Sequence, residues 1–221
     1  MKIYDTPGFP NPLRVRIVLA EKGLLSRVEF INVDLVAAEH KQPAFLSINP
    51  AGTVPVLELE DGTFISECTA ITEYLDNLEG NPTLTGRTAR EKAVIHMMQK
   101  RAESWLIDAI GIYFHHATPG LGPVLRAYKR PQWEGRTEWG QMHREQAEAG
   151  LGYFESVLRG QPYIAGESFS MADATVLGGL LFAHYADIPV PVEYRALLAW
   201  KQRMYQRPSV ATQCFGDTPS I

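Results

Sequence analysis

The sequence predicts an α/β module of order βαβ then ββα, joined to an all-helical bundle. Three observations carry that reading. The first eighty residues alternate strand and helix patterns, strand patterns vanish beyond a turn-rich stretch from Gly80-Asn81-Pro82 to Gly86, and long apolar periodicities of helical spacing fill the rest. The resulting division is 1–80 for the α/β module, 81–86 for a linker and 87–221 for the bundle.

Residues 2–5 read as a short strand leading into 6–12, where three prolines and Gly8 exclude regular structure. Residues 13–24 follow as a helix, with Leu13, Ile17, Ala20 and Leu24 on one face and Gly23 at its stop. A β-branched strand at 28–33 and a short helical segment at 45–48 come next, the latter broken by Asn49-Pro50-Ala51-Gly52. Strands at 54–60 and 63–65 join through Asp61-Gly62, a two-residue hairpin turn. Ser66 then caps a helix carrying Ile71, Tyr74, Leu75 and Leu78 on one stripe.

Beyond the linker, 88–116 is a long helix with Val94, Met97, Met98, Arg101, Trp105, Ile112 and Tyr113 at mixed spacings. Two prolines and two glycines interrupt it in 117–123. A second helix, 137–158, turns Ala147, Leu151, Phe154 and Leu158 inward, and 172–184 is apolar all round, as a buried central helix must be. Residues 193–207 close the bundle before a tail rich in turn residues.

Composition removes several classes of function. A chain of 221 residues with 45% hydrophobic and 21% charged residues builds its core without a disulfide or metal staple. Its net charge of −4 leaves no general footprint for nucleic acid or anionic lipid. Cys68 and Cys214 lie far apart and form no CxxC, so a cytoplasmic protein without a disulfide framework is expected. The start, MKIYDTPGFP, lacks a leader's apolar run, and the longest apolar stretch, 174–183, is too short to span a bilayer.

Three motifs then stand in a telling order: Asn49-Pro50-Ala51-Gly52-Thr53-Val54-Pro55-Val56-Leu57, Ser66-Glu67-Cys68-Thr69-Ala70-Ile71, and Ser170-Met171-Ala172-Asp173. With the length and domain order, they make the chain resemble a cytosolic glutathione transferase over essentially its whole length. The resemblance implies a thioredoxin-like first domain that binds glutathione. It also implies a helical second domain that supplies the acceptor pocket, with glutathione as co-substrate and no metal or other cofactor.

Each motif also has a plain structural reading. Val54-Pro55 is a turn before an edge strand, or, as the resemblance implies, a cis bond beside which Thr53, Val54 and Pro55 pair with an extended tripeptide. Ser66-Glu67-Cys68 is an ordinary helix start, or the seat of an α-amino acid head group, whose carboxylate meets free N–H groups and whose ammonium meets Glu67. The family usually has Ser where Cys68 stands, and a thiol is the weaker donor to that carboxylate. His40 and Lys41 form a solvated helix turn, or one of them holds the glycyl carboxylate. Ser170-x-x-Asp173 is a capping box with a folding role only.

The thiolate-stabilising group is the irregular part. The family places Tyr, Ser or Cys at the end of the first strand or in the following loop, yet the loop here reads Phe9, Pro10 and Pro12. Tyr4 stands one residue out of step, and neighbouring strand residues face opposite ways, so Tyr4 packs. Thr6 and Asn11 remain as donors. His115 and His116 offer a second route, holding a water against the sulfur with help from Thr118, unless they merely complement a helix C-terminus. Phe9, Trp105, Tyr113 and Phe114 line an acceptor pocket or belong to the core.

The expected activity is addition of the glutathione thiolate to small apolar electrophiles, by a homodimer acting in detoxification. The rivals are a glutathione-dependent peroxide or disulfide reductase, which needs a reactive cysteine, and a non-catalytic glutathione-binding dimer module.

Overall fold

A computed structural model of the chain describes residues 1–129, 132 and 135–214. Strand β1 (Lys2–Asp5), helix α1 (Pro10–Glu21) and strand β2 (Glu29–Asn32) form the βαβ unit, with β1 and β2 parallel. After the short α2 (Pro43–Leu46), β3 (Val56–Glu58) and β4 (Phe64–Ser66) make an antiparallel hairpin, and α3 (Cys68–Asn77) follows. The sheet order is β2-β1-β3-β4, and β3 runs antiparallel to β1.

Alternation along the strands divides the apolar residues between two faces. Ile3 and Leu57 join Ile17, Ile71 and Leu75 in the main core, all fully buried. Val56 points the other way, into a smaller cluster with Val33, Leu35, Phe45 and Val54. That second cluster lies beneath the residues of the first motif, so burial on the far face of the sheet positions them.

The helical part begins at α4 (Ala89–Ala102), where Thr88 and Glu91 form a capping box. It continues through a π-helical turn, Glu103–Asp108, into α5 (Ala109–Ala117). Then come α6 (Pro123–Arg126), α7 (Thr137–Leu158), α8 (Met171–Tyr185), α9 (Arg195–Tyr205) and α10 (Pro208–Cys214). Helix α8 is the buried centre. A Cβ on Gly178 would lie 2.8 Å from the Pro10 carbonyl, and one on Gly179 2.6 Å from Leu106 Cβ, so the glycines let α1 and the π turn close on it. At the start of α8, Asp173 accepts from the Ser170 N–H and hydroxyl, the Ile164 N–H and Trp200.

Residues 81–86 are pinned down. The fully buried Asp76 carboxylate accepts from the backbone N–H groups of Thr83, Leu84 and Thr85, from the Thr85 hydroxyl, and from Lys22 at 2.9 Å.

Local details correct the sequence reading. Helix α1 starts at Pro10 and not at Leu13, because Pro10 opens the helix and Pro12 stays within its first turn, where no intrahelical N–H is needed. Ser66 ends β4 and caps nothing; Glu67, at φ +71°, turns the chain from strand into helix. Of the residues at mixed spacings on the long helix, Met97 is 44% exposed, while Ile95, Ala102, Leu106 and Ile110 are buried. The wide π turn shifts the phase of the later residues. The tail expected after 207 continues as α10, again opened by a proline. Its last residues, 215–221, lie outside the described residues.

Candidate active site

Three chain segments converge above the second cluster. Pairing of β3 with β1 begins at Val56, so Thr53, Val54 and Pro55 precede the ladder. The Val54–Pro55 bond is cis, as the resemblance implies. Asn49, 2% exposed, braces this turn: its amide donates to the Thr53 carbonyl at 2.9 Å, and its Oδ1 accepts from the Ala51 N–H at 3.1 Å. Gly52, at φ +58°, has no room for a side chain, since a Cβ would lie 2.8 Å from the His40 carbonyl.

On one flank lie His40 and Lys41, in a short 3-10 turn, Glu39–Lys41. Lys41 donates to the Gly52 carbonyl at 2.5 Å, and burial lowers its pKa. His40 is 7% exposed and its Nδ1 has no partner; burial, with Lys41 adding to it, pushes its pKa down to about 4. Lys41 is therefore the one of the pair that reaches the backbone beside Thr53.

On the other flank stands the start of α3. Glu67 is exposed and makes no side-chain cap, which leaves its carboxylate open to solvent. Cys68 behind it is 6% exposed, and its Sγ–H donates to the Asn11 carbonyl at 3.5 Å. Burial pushes the thiol up to about 11, so it stays protonated.

Between the flanks sits the start of α1. Phe9 packs with Tyr4 on the cluster that holds Val54, while Asn11 touches Cys68, so residues 9–11 bridge the two halves of the site. Tyr4 packs as expected: its hydroxyl donates to Glu58 at 2.7 Å, an interaction that pushes its pKa up to about 12. Thr6 spends its proton on the Val33 carbonyl at 2.6 Å. Asn11 Oδ1 accepts from Arg14 at 2.9 Å.

The end of α5 closes over this arrangement. Leu121, in the loop that follows, packs against the Val54 cluster, and Gln42 donates to the Tyr128 hydroxyl at 2.6 Å. His115 keeps an exposed edge, yet burial of its ring pushes its pKa down to about 4, aided by Lys129, His116, Lys41 and His40. His116 turns to Trp139, ring centroids 5.0 Å apart. Thr118 donates its proton to the Phe114 carbonyl at 2.5 Å.

The expected acceptor-pocket residues separate. Phe9 is at the site, but Trp105 stacks edge-on against Tyr153 of α7 at 4.8 Å, and Tyr113 accepts from Arg144 of α7 at 3.2 Å. Tyr113 belongs to the helical core, and Trp105 is half-buried against α7. Aromatic periodicity does not report which flank of a helix meets the cleft. Tyr185 is the aromatic of α8 that reaches the loop before α1, its hydroxyl donating to the Gly8 carbonyl at 2.9 Å, and Phe114 and Phe182 pack 5.5 Å apart where α5 meets α8. In the sequence Phe182 lies inside the apolar run 172–184 and Tyr185 just beyond it, so neither signals a pocket. Arg14 reads in the sequence only as a helix charge, and Asn49, which opens the first motif, only as a turn residue.

Among the described residues no group of His, Cys, Asp and Glu is placed to hold a metal, and no helix is long and apolar enough to cross a membrane.

Known proteins share this architecture and sequence. The glutathione S-transferase N-terminal domain model matches residues 10–78, and the C-terminal domain model matches 116–208. Glutathione S-transferase 2 of Saccharomyces cerevisiae is 59% identical over 210 residues, covering 95% of this chain and 88% of that protein. The crystal structure of Gtt2 from Saccharomyces cerevisiae superposes with a TM-score of 0.91 at 58% identity, covering 96% of this chain and 100% of the other. A glutathione S-transferase domain-containing protein from Marinobacter aquaeolei gives 0.88 at 50% identity, covering 95% and 100%. The α/β sheet, the helical bundle and these relatives together place the chain in the glutathione S-transferase family.

Proposed function

We infer that this chain is a glutathione transferase that lowers the pKa of the glutathione thiol and adds the thiolate to small apolar electrophiles. The observation that carries the reading is the frame built by Thr53–Pro55, Glu67–Cys68 and the start of α1 between them. A tripeptide laid across that frame puts its γ-glutamyl ammonium at Glu67 and its γ-glutamyl carboxylate at the first N–H groups of α3 and at Cys68. Its cysteinyl backbone pairs with Val54, and its glycyl carboxylate meets Lys41, with His40 behind it. The sulfur, on the middle residue, then faces residues 9–11. In the reaction the thiol proton leaves to solvent and the sulfur lone pair forms the new C–S bond. The displaced group, or the activated double bond of the acceptor, takes the electron pair.

Two donors remain for the sulfur. Thr6 and Thr118 have their protons on backbone carbonyls. The Asn11 amide approaches from the α1 side, and a water held by neutral His115 approaches from the α5 side; His116, on Trp139, supports that end of the helix. Phe9, Phe114 and Phe182 form the apolar wall for the acceptor. Residues 1–80 thus bind the peptide, 81–86 connect, and 87–221 supply the acceptor side.

We place the protein in the cytoplasm as a homodimer, in a detoxifying role, with no nucleic-acid partner. Exposed Phe64 on edge strand β4 and exposed Met97 on α4 offer apolar surface for a second copy. A disulfide or peroxide reductase would need a reactive thiol at the sulfur, and buried Cys68 with its raised pKa is unsuited to it. The test is conjugation of glutathione to a nitroaryl halide set beside glutathione-dependent reduction of a disulfide. Turnover in the first assay alone supports the reading. Reduction alone supports the reductase, and binding without either supports the non-catalytic module.

A further inference from the structure

One buried guanidinium ties the elements of the site together. Arg14, 4% exposed, sits one helical turn after Asn11. Its Nη1 donates to Asn11 Oδ1 at 2.9 Å, and its Nη2 donates to Glu103 Oε1 at 3.1 Å. Glu103 opens the π turn of the long helix, and it also receives Gln99 Nε2 at 3.3 Å and Lys100 at 3.4 Å. Gln99 in turn donates to Thr69 of α3 at 2.7 Å. Helix α8 presses from behind: a Cβ on Gly178 would lie 2.9 Å from Arg14 Cγ. The guanidinium is thus held through Nη1 and Nη2, by α1 and the π turn, with α8 packed against its stem, while its buried Nε has no partner.

This fixes which way Asn11 faces. A guanidinium has donors only, so the atom of Asn11 that meets it is the oxygen. The amide NH2 is thereby turned away from Arg14. It has no acceptor among the described residues, and Asn11 itself is half-buried. The Asn11 backbone is held from the opposite side by the Cys68 thiol. Neither rotation of the amide nor sliding of the helix start is then free.

We propose that Arg14 is a positioning residue for the conjugation reaction, holding the Asn11 amide with its N–H edge toward the glutathione sulfur. The proposal rests on the transferase reading given above. It assigns the thiolate a donor fixed in advance by charge pairing, where the usual hydroxyl is missing. A lysine at position 14 would not reproduce it, since a single ammonium does not span Asn11 and Glu103 as a planar fork does.

The experiment is a pH titration of the thiolate absorbance of glutathione bound to the native protein and to variants at positions 11, 14 and 103, with glutathione affinity and thermal melts recorded beside it. Asn11→Asp keeps an acceptor for Arg14 but removes the donor. It should raise the bound thiol pKa by about one to two units, a ten- to hundredfold smaller thiolate fraction at neutral pH. Arg14→Lys should raise it in the same direction by about one unit, and should add nothing in an Asn11→Leu background, since it acts through Asn11. Glu103→Gln keeps an acceptor for the buried guanidinium while removing its charge partner, and should also raise the pKa, by less than Arg14→Lys. An unchanged thiol pKa in Asn11→Asp overturns the proposal. So does an unchanged pKa in both Arg14→Lys and Glu103→Gln, or an Arg14→Lys shift that persists undiminished without Asn11. Failure of the transferase reading looks different: the native protein itself would bind no glutathione.

Discussion

Replacing Cys68 with serine should strengthen glutathione binding while weakening the fold. The thiol reaches the Asn11 carbonyl at 3.5 Å, and its side chain is almost wholly buried. A C–O bond is a few tenths of an ångström shorter than a C–S bond. The hydroxyl therefore falls outside hydrogen-bond range of Asn11 and becomes free to donate to the γ-glutamyl carboxylate. A hydrogen bond to a charged group contributes about 1.5–3 kcal/mol and the thiol already supplies part of that, so a net gain of about 1 kcal/mol, roughly fivefold in Kd, is expected. Without ligand, the buried hydroxyl lacks a partner and costs about 1–2 kcal/mol of stability. Calorimetric titration with glutathione and thermal melts of the free proteins separate the two effects. A Kd equal to or weaker than that of the native chain refutes the reasoning, because the carboxylate would then not be at Cys68.

Other changes test other parts of the site. His115→Ala should slow conjugation about ten- to hundredfold with little change in glutathione affinity, because its water meets only charge on sulfur; equal losses in both would place His115 in peptide binding. His40 titrates near pH 4 in the fold and near 6.5 when unfolded, so the unfolded chain takes up a proton that the fold refuses. Its contribution is present in full above pH 6.5 and is lost as the pH falls toward 4, by about 3 kcal/mol; urea midpoints of the native chain and His40→Gln, compared at pH 7 and pH 4, should converge on the native chain's losing more. Asp76→Ala should destabilise by about 3–5 kcal/mol, since the buried N–H groups of Leu84 and Thr85, the part-buried N–H of Thr83 and Lys22 lose their acceptor together. A loss below about 1 kcal/mol would mean that water replaces the carboxylate.

The order of elements was legible because each carries its own periodicity. Ile71 and Leu75 on α3, and Ala147, Leu151 and Phe154 on α7, are buried as their spacing requires. Prolines misled at both ends of the chain, since Pro10 and Pro208 open helices that the loop-like composition concealed. The ends of the peptide frame were legible through local motifs, Thr53-Val54-Pro55 and Glu67-Cys68. What lies between them was not. Whether Thr6 offers its proton depends on Val33, which is 27 residues away. Whether Asn11 presents its amide depends on Arg14, and Arg14 depends on Glu103, 89 residues away. Trp105 and Tyr113 have the spacing of a pocket wall, and only the packing of α7 engages them with Tyr153 and Arg144. Long-range pairing leaves no local trace in composition or period.

The most direct measurement of the central claim is the melting temperature of the native protein in millimolar glutathione, set beside the same concentration of the cysteinyl-glycine dipeptide that lacks the γ-glutamyl end. At about one hundred times Kd, glutathione should add roughly 2.7 kcal/mol, a rise of about 5–10 °C for a chain of this size. The dipeptide should give little, because Glu67 and the start of α3 then hold nothing. Equal shifts from both, or none from glutathione, would contradict the account.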